Sequence, residues 1–213
     1  MTSRRRVVLW RHGRTSWNAE SRFQGTTDIP LDDVGVAQAE RAARDLATLG
    51  PHRIVASDLD RARATAQILA DLVGLEVSTD PELRETFAGS WQGLVRDEIA
   101  ERDGEVFGQW AAGADVRPGG GETRTEVAAR VAAAVRRHVE DLPPGGTVVI
   151  ATHGGAARAG IGELLGLPIE HWTALGGLVN CAWSVLEEQS DSRWRLVEHN
   201  ARSLPEDVVG DEA

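Results

Sequence analysis

Two histidines in this chain each stand at the end of a short apolar run and directly in front of glycine. One is Val7-Val8-Leu9-Trp10-Arg11-His12-Gly13; the other is Thr147-Val148-Val149-Ile150-Ala151-Thr152-His153-Gly154-Gly155. An imidazole can act as nucleophile, base or cation near neutral pH. A glycine behind it lets the backbone approach a bound group and turn without a Cβ penalty. A third run, Arg53–Ser57, leads through Asp58 and Leu59 to Arg61 and Arg63, while Arg11 and Arg14 flank His12. Two imidazoles, two to four guanidiniums and helix N-termini on one edge suit a dianionic tetrahedral group, because guanidinium forks and helix amides both favour phosphate. The segment Leu83-Arg84-Glu85, with Gly89, Trp91, Gln92 and Gly93 after it, adds a carboxyl group. Phosphate esters of alcohols leave as poor alkoxides. A carboxyl that protonates the bridging oxygen would contribute about 10²–10⁴-fold.

The elements that would position these groups alternate between strand and helix. Val7–Arg11 reads as a buried strand, and Asp32 or Asp33 caps a helix from about Val34 to Leu49, closed by Gly50-Pro51. Arg53–Ser57 is a second strand. Asp58 is expected to start a helix with Leu59, Ala62, Ala66, Leu69 and Val73 on one face, stopped by Gly74. Leu75–Ser78 is a third strand, Glu122 to about Leu142 a helix ended by Pro143-Pro144-Gly145-Gly146, Thr147–Thr152 a fourth strand, and Gly155–Leu165 a helix. Ala182–Glu187 and Trp194–His199 read as a late hairpin or sheet edge, and 111–121 as a Gly-rich loop. This order argues for an α/β layer fold with a mainly parallel sheet, whose ligands collect beyond the carboxyl ends of the strands. Residues 1–202 are expected to form one domain, and 203–213 a mobile acidic tail.

Composition narrows the class of partner. The 213 residues carry 23 basic against 33 acidic side chains, a formal net charge of −10, which disfavours general nucleic-acid binding. Arginines gathered in one cleft of an acidic protein still make a local funnel for a small anion. The lone Cys181 excludes an internal disulfide framework. The basic start Arg4-Arg5-Arg6 reads as a solvated terminus. The four apolar residues after it fall short of the roughly 7–15 of a signal core. No run approaches the roughly 18 apolar residues of a membrane span, so a cytoplasmic location and no membrane partner are expected.

Taken in order, these motifs resemble the histidine phosphatase superfamily, in its phosphoglycerate mutase-like branch. The matching elements are Arg11-His12-Gly13 with Thr15 and Asn18; Arg22-Phe23-Gln24-Gly25 with Asp28, Pro30 and Leu31; Ser57–Ala62 with Thr65-Ala66; Glu85 with Gly89 and Gly93; Gly120-Gly121-Glu122; and His153-Gly154. The resemblance implies a three-layer sandwich with helices on both faces of the sheet. It implies that His12 is the nucleophile and forms a phosphohistidine. Arg11, Arg61, His153 and Gly154 would hold the non-bridging oxygens, and His153 would belong to the catalytic set. Glu85 would protonate the leaving oxygen and then activate water. Asn18, Thr15, Gln24 and Gly25 would line the first loop around the substrate. No metal and no cofactor are implied, since guanidiniums supply the positive charge. The expected partner is a small phosphorylated metabolite or inorganic phosphate. The family often forms dimers, so a homodimer is an assembly the resemblance allows. The segments 83–94, 172–180 with Trp183, and 193–196 with Asn200 are also similar to actinobacterial glucosyl-3-phosphoglycerate phosphatases, which makes that phosphoester the candidate substrate.

Two other functions stand beside this one. A phosphoglycerate mutase would use the same phosphohistidine but return the phosphate to product; the short stretch between Gly93 and Gly119 speaks against it. A non-catalytic phosphate- or phosphoprotein-binding module would lack a nucleophile or an acid. Structural roles are the expectation for Arg63, for Cys181 as a core residue, and for His52, His138, His171 and His199 as surface or packing residues. The same holds for Trp91, Trp110, Trp172, Trp183 and Trp194. Trp17 is expected at the pocket mouth. Glu122 reads either as a pocket residue or as a first-turn acid of the helix it opens.

Overall fold

The computed structural model describes residues 4–203. Six strands form one mixed sheet: β1 (Arg6–Arg11), β2 (Arg53–Ala56), β3 (Val77–Thr79), β4 (Thr147–Thr152), β5 (Trp183–Glu188) and β6 (Trp194–Ala201). Their spatial order is β3-β2-β4-β1-β5-β6. The first four of that row run parallel, and β5 and β6 add an antiparallel edge. β4 is buried along its whole length and β1 over Val7–Trp10, as continuous Val/Ile/Leu runs demand when both faces are covered.

Strand alternation sorts these residues into two cores. Val7, Leu9, Val148 and Ile150 face helices α5 (Arg124–Glu140) and α6 (Gly154–Leu164). Val8, Trp10, Ile54, Val149 and Ala151 face α2 (Asp33–Ala47) and α3 (Asp60–Val73). Alanines 39, 42, 43, 66 and 70 on the second face, and 128, 132 and 134 on the first, let the helices lie close to the sheet. Each fully buried Val, Leu or Ile contributes about 1.5–3 kcal/mol. This is the α/β architecture the alternation predicts, with helices on both faces.

Several boundaries differ from the sequence reading. α2 runs over Asp33–Ala47 rather than Val34 to Leu49, and of the two candidate caps Asp32 is the one that holds it, accepting from Gly35 N (2.7 Å). α3 begins at Asp60 rather than Asp58, because the Asp58 carboxylate is held in a two-point pair with Arg84 (2.7 and 2.5 Å). α5 begins at Arg124 with Thr123 as its cap, so Glu122 lies outside the helix and Glu126 is its first-turn acid. Two helices were not anticipated: α1 (Ser16–Ala19) and α4 (Arg96–Ala111). α4 is irregular at Asp103, and its single fully buried residue is Ile99, so its apolar pattern is too sparse to announce itself. It packs through Phe107 and Trp110 on Phe23 and Trp91, a small aromatic core outside the sheet. Among the described residues no helix is long and apolar enough to cross a membrane. Apart from Ser203, the expected acidic tail lies outside the described residues.

Candidate active site

β1 and β4 pair in parallel with Arg11 opposite Thr152. The residues that follow, His12 and His153, therefore leave the sheet side by side, and His12 N bonds back to Thr152 O at 3.0 Å. Their rings meet edge-on with centroids 5.1 Å apart. β2 lies on the other side of β4 and leads into α3, which carries Arg61. Sheet register thus converts three distant segments into one site.

His12 is 3% exposed. Its Nδ1 lies 2.7 Å from Gly13 O and its Nε2 lies 3.2 Å from Arg61 Nε. A carbonyl can only accept and a guanidinium can only donate. Nδ1 therefore carries the proton and Nε2 presents the lone pair. Burial, then the charges of Arg61 and Arg11, hold the His12 pKa well below the usual imidazole range, so the ring is neutral at neutral pH. His153 is fully buried, and neither ring nitrogen has a hydrogen-bond partner. Burial and then the Arg61 charge push its pKa down in the same way. An orphaned buried imidazole is costly, and a bound oxyanion would remove that cost.

Arg61 is completely buried. It donates to Thr27 O and Gly25 O, both at 2.8 Å, as well as to His12. Burial lowers its pKa to about 10, which leaves it charged at neutral pH, and two of its five N–H groups remain free. Arg11 donates Nη1 to Leu178 O at 2.7 Å, and its buried Nε has no partner. Glu85 sits across the opening of α6. Its Oε2 accepts from Gly155 N (2.9 Å), and its Oε1 from Ala156 N (2.9 Å) and Thr86 N (2.8 Å). Gly155 is required here: a Cβ at this position would stand 2.6 Å from Glu85 Oε1.

These side chains open into a cavity of about 420 Å³. Every anticipated site residue lines it except Thr15 and His153. His153 lies beneath, against His12. Thr15 is buried and caps α1, exchanging bonds with Asn18 at 3.2 Å; it shapes the loop that presents Asn18. Asn18 Oδ1 also accepts from Asn180 Nδ2 (3.1 Å), which bonds His12 O as well. Gln24 lines the cavity with its buried Oε1 unpartnered. The role assigned to glycine after each histidine needs revision. Gly13 and Gly154 do not have positive φ. A Cβ on Gly13 would collide with the Gly35 carbonyl of α2, and one on Gly154 would make ordinary contact with Arg11. Packing within the protein, not access for a ligand, requires Gly13.

The sequence reading missed the breadth of the cationic lining. Arg22, Arg96, Arg124 and Arg158 join Arg11 and Arg61, against the carboxylates of Glu85 and Glu122. It also missed Arg130 of α5. Arg130 donates to the carbonyls of Glu82, Arg84 and Glu85 (2.7, 2.8 and 3.1 Å) and pairs with Glu122 at 2.9 Å. No local motif announces it, because its carbonyl partners lie 45–48 residues earlier in the chain. Trp110 and Trp172 line the cavity, whereas Trp17 does not. Arg63 pairs with Asp60 on the surface (2.6 Å), and burial pushes the Cys181 thiol up to about 12. Among the described residues no His, Cys, Asp or Glu cluster could hold a metal ion.

A parallel-sheet edge bearing two buried imidazoles, two buried guanidiniums and an amide-held carboxylate defines an α/β protein built to handle phosphoryl groups. The chain belongs to the histidine phosphatase superfamily (branch 1), whose family model matches residues 7–202. It is 40% identical over 213 aligned residues to the glucosyl-3-phosphoglycerate phosphatase of Mycolicibacterium vanbaalenii, covering 92% of this chain and 95% of that one. A mycobacterial glucosyl-3-phosphoglycerate phosphatase solved with VO3 superposes with a TM-score of 0.88 at 42% identity, over 92% of this chain and 99% of that one. A Yersinia pestis protein named "Probable phosphoglycerate mutase GpmB" is 37% identical over 88% of this chain and 86% of its own. The fold is that of the phosphoglycerate mutase-like histidine phosphatases, and the chain is a phosphatase of that superfamily.

Proposed function

We propose that this protein is a metal-independent phosphomonoesterase acting on small phosphorylated metabolites, with glucosyl-3-phosphoglycerate as the candidate substrate. The neutral His12, with its Nε2 lone pair beside two buried guanidiniums, carries the reading. Nε2 attacks phosphorus, the bridging P–O bond breaks, and Glu85 delivers its proton to the departing alcohol oxygen. Arg11, the free N–H groups of Arg61, His153 and the Gly154 amide hold the three non-bridging oxygens as charge spreads over them. A water then attacks the phosphohistidine, Glu85 takes its proton, the P–N bond breaks and inorganic phosphate leaves. Asn18, Gln24 and Gly25 border the entering group, with Thr15 fixing Asn18.

The candidate substrate is supported by similarity to the mycobacterial enzymes over nearly the whole chain. The mutase reading draws on the Yersinia relative. The two part on a single assay: free phosphate released from glucosyl-3-phosphoglycerate, against interconversion of 2- and 3-phosphoglycerate. Rapid quenching after labelled substrate tests the intermediate, since phosphohistidine survives base and is lost in acid. A label stable to acid, or activity retained in His12→Ala, sinks the proposal. Turnover near zero on a panel of phosphoesters would favour a binding module. The reading keeps the cytoplasmic setting expected from the sequence and takes a homodimeric assembly from the family, the latter checked by light scattering.

A further inference from the structure

Gln92 closes the segment that begins with Leu83 and carries Glu85, yet it does not line the cavity. It is half-buried against the loop from Gln24 to Asp28. Its Oε1 accepts from Thr26 N (2.9 Å), Thr26 Oγ1 (3.1 Å) and Ala88 N (3.4 Å), and its Nε2 donates to Thr27 Oγ1 (3.3 Å). Two of these partners are backbone N–H groups, which only donate, so they fix which end of the carboxamide is oxygen. The fit is close. Gly25 has a φ of +52°, and a Cβ there would collide with Gln92 Oε1. The adjoining backbone adds to the hold: Gly93 N bonds to Phe23 O (2.8 Å) and Phe23 N to Leu94 O (2.9 Å).

The loop held in this way supplies the carbonyls that orient Arg61. Nη2 donates to Gly25 O and Nη1 to Thr27 O, on either side of the Thr26 that Gln92 grips. Two fixed acceptors, with Nε on His12, set both the position and the plane of a guanidinium. Gln24 in the same loop makes a useful contrast. It faces the cavity with its Oε1 unpartnered, whereas both polar atoms of the Gln92 side chain are bonded within the protein. Gln92 is thus an internal strut between the segment that bears Glu85 and the loop that aims Arg61.

We infer that Gln92 is a positioning residue for phosphoryl transfer, acting on Arg61 through the Gly25 and Thr27 carbonyls. The inference rests on the phosphomonoesterase reading of the cavity. Releasing the loop lets the guanidinium shift, and a misplacement of about 1 Å costs roughly 10²-fold in rate. Arg61 serves the phosphoryl group and not the alcohol, so the loss is independent of the leaving group.

The test starts from Gln92→Met, which keeps the length and removes both polar atoms. It should lower kcat/KM about 10- to 100-fold, equally for p-nitrophenyl phosphate and glycerol 3-phosphate. The Kd of orthovanadate, measured by calorimetry, should weaken by a similar factor. Gln92→Glu keeps an oxygen for Thr26 N and should restore most of both. Gln92→Asn, one methylene too short to reach Thr26, is a second probe with the same expectation as Gln92→Met. Arg61→Lys cannot reach both carbonyls, so adding Gln92→Met to it should cost less than about threefold. Thermal midpoints verify that each variant is folded. Wild-type kcat/KM and vanadate affinity in folded Gln92→Met and Gln92→Asn overturn the inference. So does a fall confined to glycerol 3-phosphate, which would route the effect through Glu85, or the full fall repeated in Arg61→Lys. No phosphate from either ester in the wild type overturns the phosphomonoesterase reading instead, and the vanadate Kd still tests the hold of Gln92 on Arg61.

Discussion

The two ends of the cavity are built on different principles. At the inner end, His12, His153 and Arg61 are buried residues fixed by strand register and by bonds to backbone carbonyls. At the outer end, Arg96, Trp110, Arg124 and Arg158 hang from helices, and their guanidiniums carry few bonds or none. The inner set must be positioned to fractions of an ångström, because attack on phosphorus depends on near-attack geometry. The outer set has only to meet the charge and outline of an alcohol. Rigid sheet edges suit the first task, and peripheral helices that can vary without disturbing the sheet suit the second. The contrast also separates paired from unpaired charge: carboxylates pair with Arg84 and Arg130 in the loops around the site and with Arg22 at the cavity wall, whereas Arg96, Arg124 and Arg158 have no carboxylate partner among the described residues.

The comparison breaks most readily at the nucleophile. His12→Ala should reduce kcat on every phosphoester by roughly 10⁴-fold or more, as removal of a covalent nucleophile does. A substrate-selective loss would place His12 with the outer set. Next is Glu85→Gln, which should cost about 10²–10⁴-fold on alkyl phosphates and much less on p-nitrophenyl phosphate, whose leaving group needs no proton. Equal losses on both would deny Glu85 the proton-transfer role. Arg130 touches neither end directly but ties the Glu85 loop to α5. Arg130→Ala should lower stability by about 2–4 kcal/mol in denaturant titrations, through carbonyls and a Glu122 carboxylate left unpaired. It should also slow turnover roughly 10- to 100-fold by displacing Glu85. Unchanged kcat in a destabilised variant would make Arg130 purely structural.

The smallest effect concerns pH and separates the inner end by its burial. Both site histidines have native pKa values below 6.5, whereas the unfolded chain protonates them near about 6.5. Between those values the unfolded state binds more protons than the native state, so stability is full above about 6.5 and falls as pH drops below it. The thermal midpoint of the apo protein should decline from pH 7 towards 5. His153→Gln should make the decline shallower, and an unchanged slope would mean that His153 is already charged in the native state. The lowered carboxylates Asp58, Asp80 and Glu122 act in the same direction, but below their ordinary values of 3.8–4.5, outside this window.

The inner end was largely legible in the amino-acid sequence, and the outer end was not. Continuous apolar runs such as 147–152 mark buried parallel strands without reference to anything distant. The residue immediately after each run must then appear at the sheet edge, which is how His12 and His153 could be read as a pair. Glu85 and Arg61 were recognisable by motif, although the start of α3 was misplaced because the Asp58–Arg84 pair spans 26 residues. α4 was invisible because its buried face holds one fully buried residue and its other contacts are aromatic rings brought together from residues 23, 91, 107 and 110. Arg124, Arg130 and Arg158 carry no local sign of their placement.

Local chemistry and hydrophobic period therefore determined the strands, the helices on either side of the sheet, and the identity of the phosphate-handling groups. Only the tertiary structure decided which arginines acquire carboxylate partners and which face the cavity alone. Pairing such as Arg84–Asp58 depends on distances between segments far apart in the chain, and no spacing along the sequence encodes them.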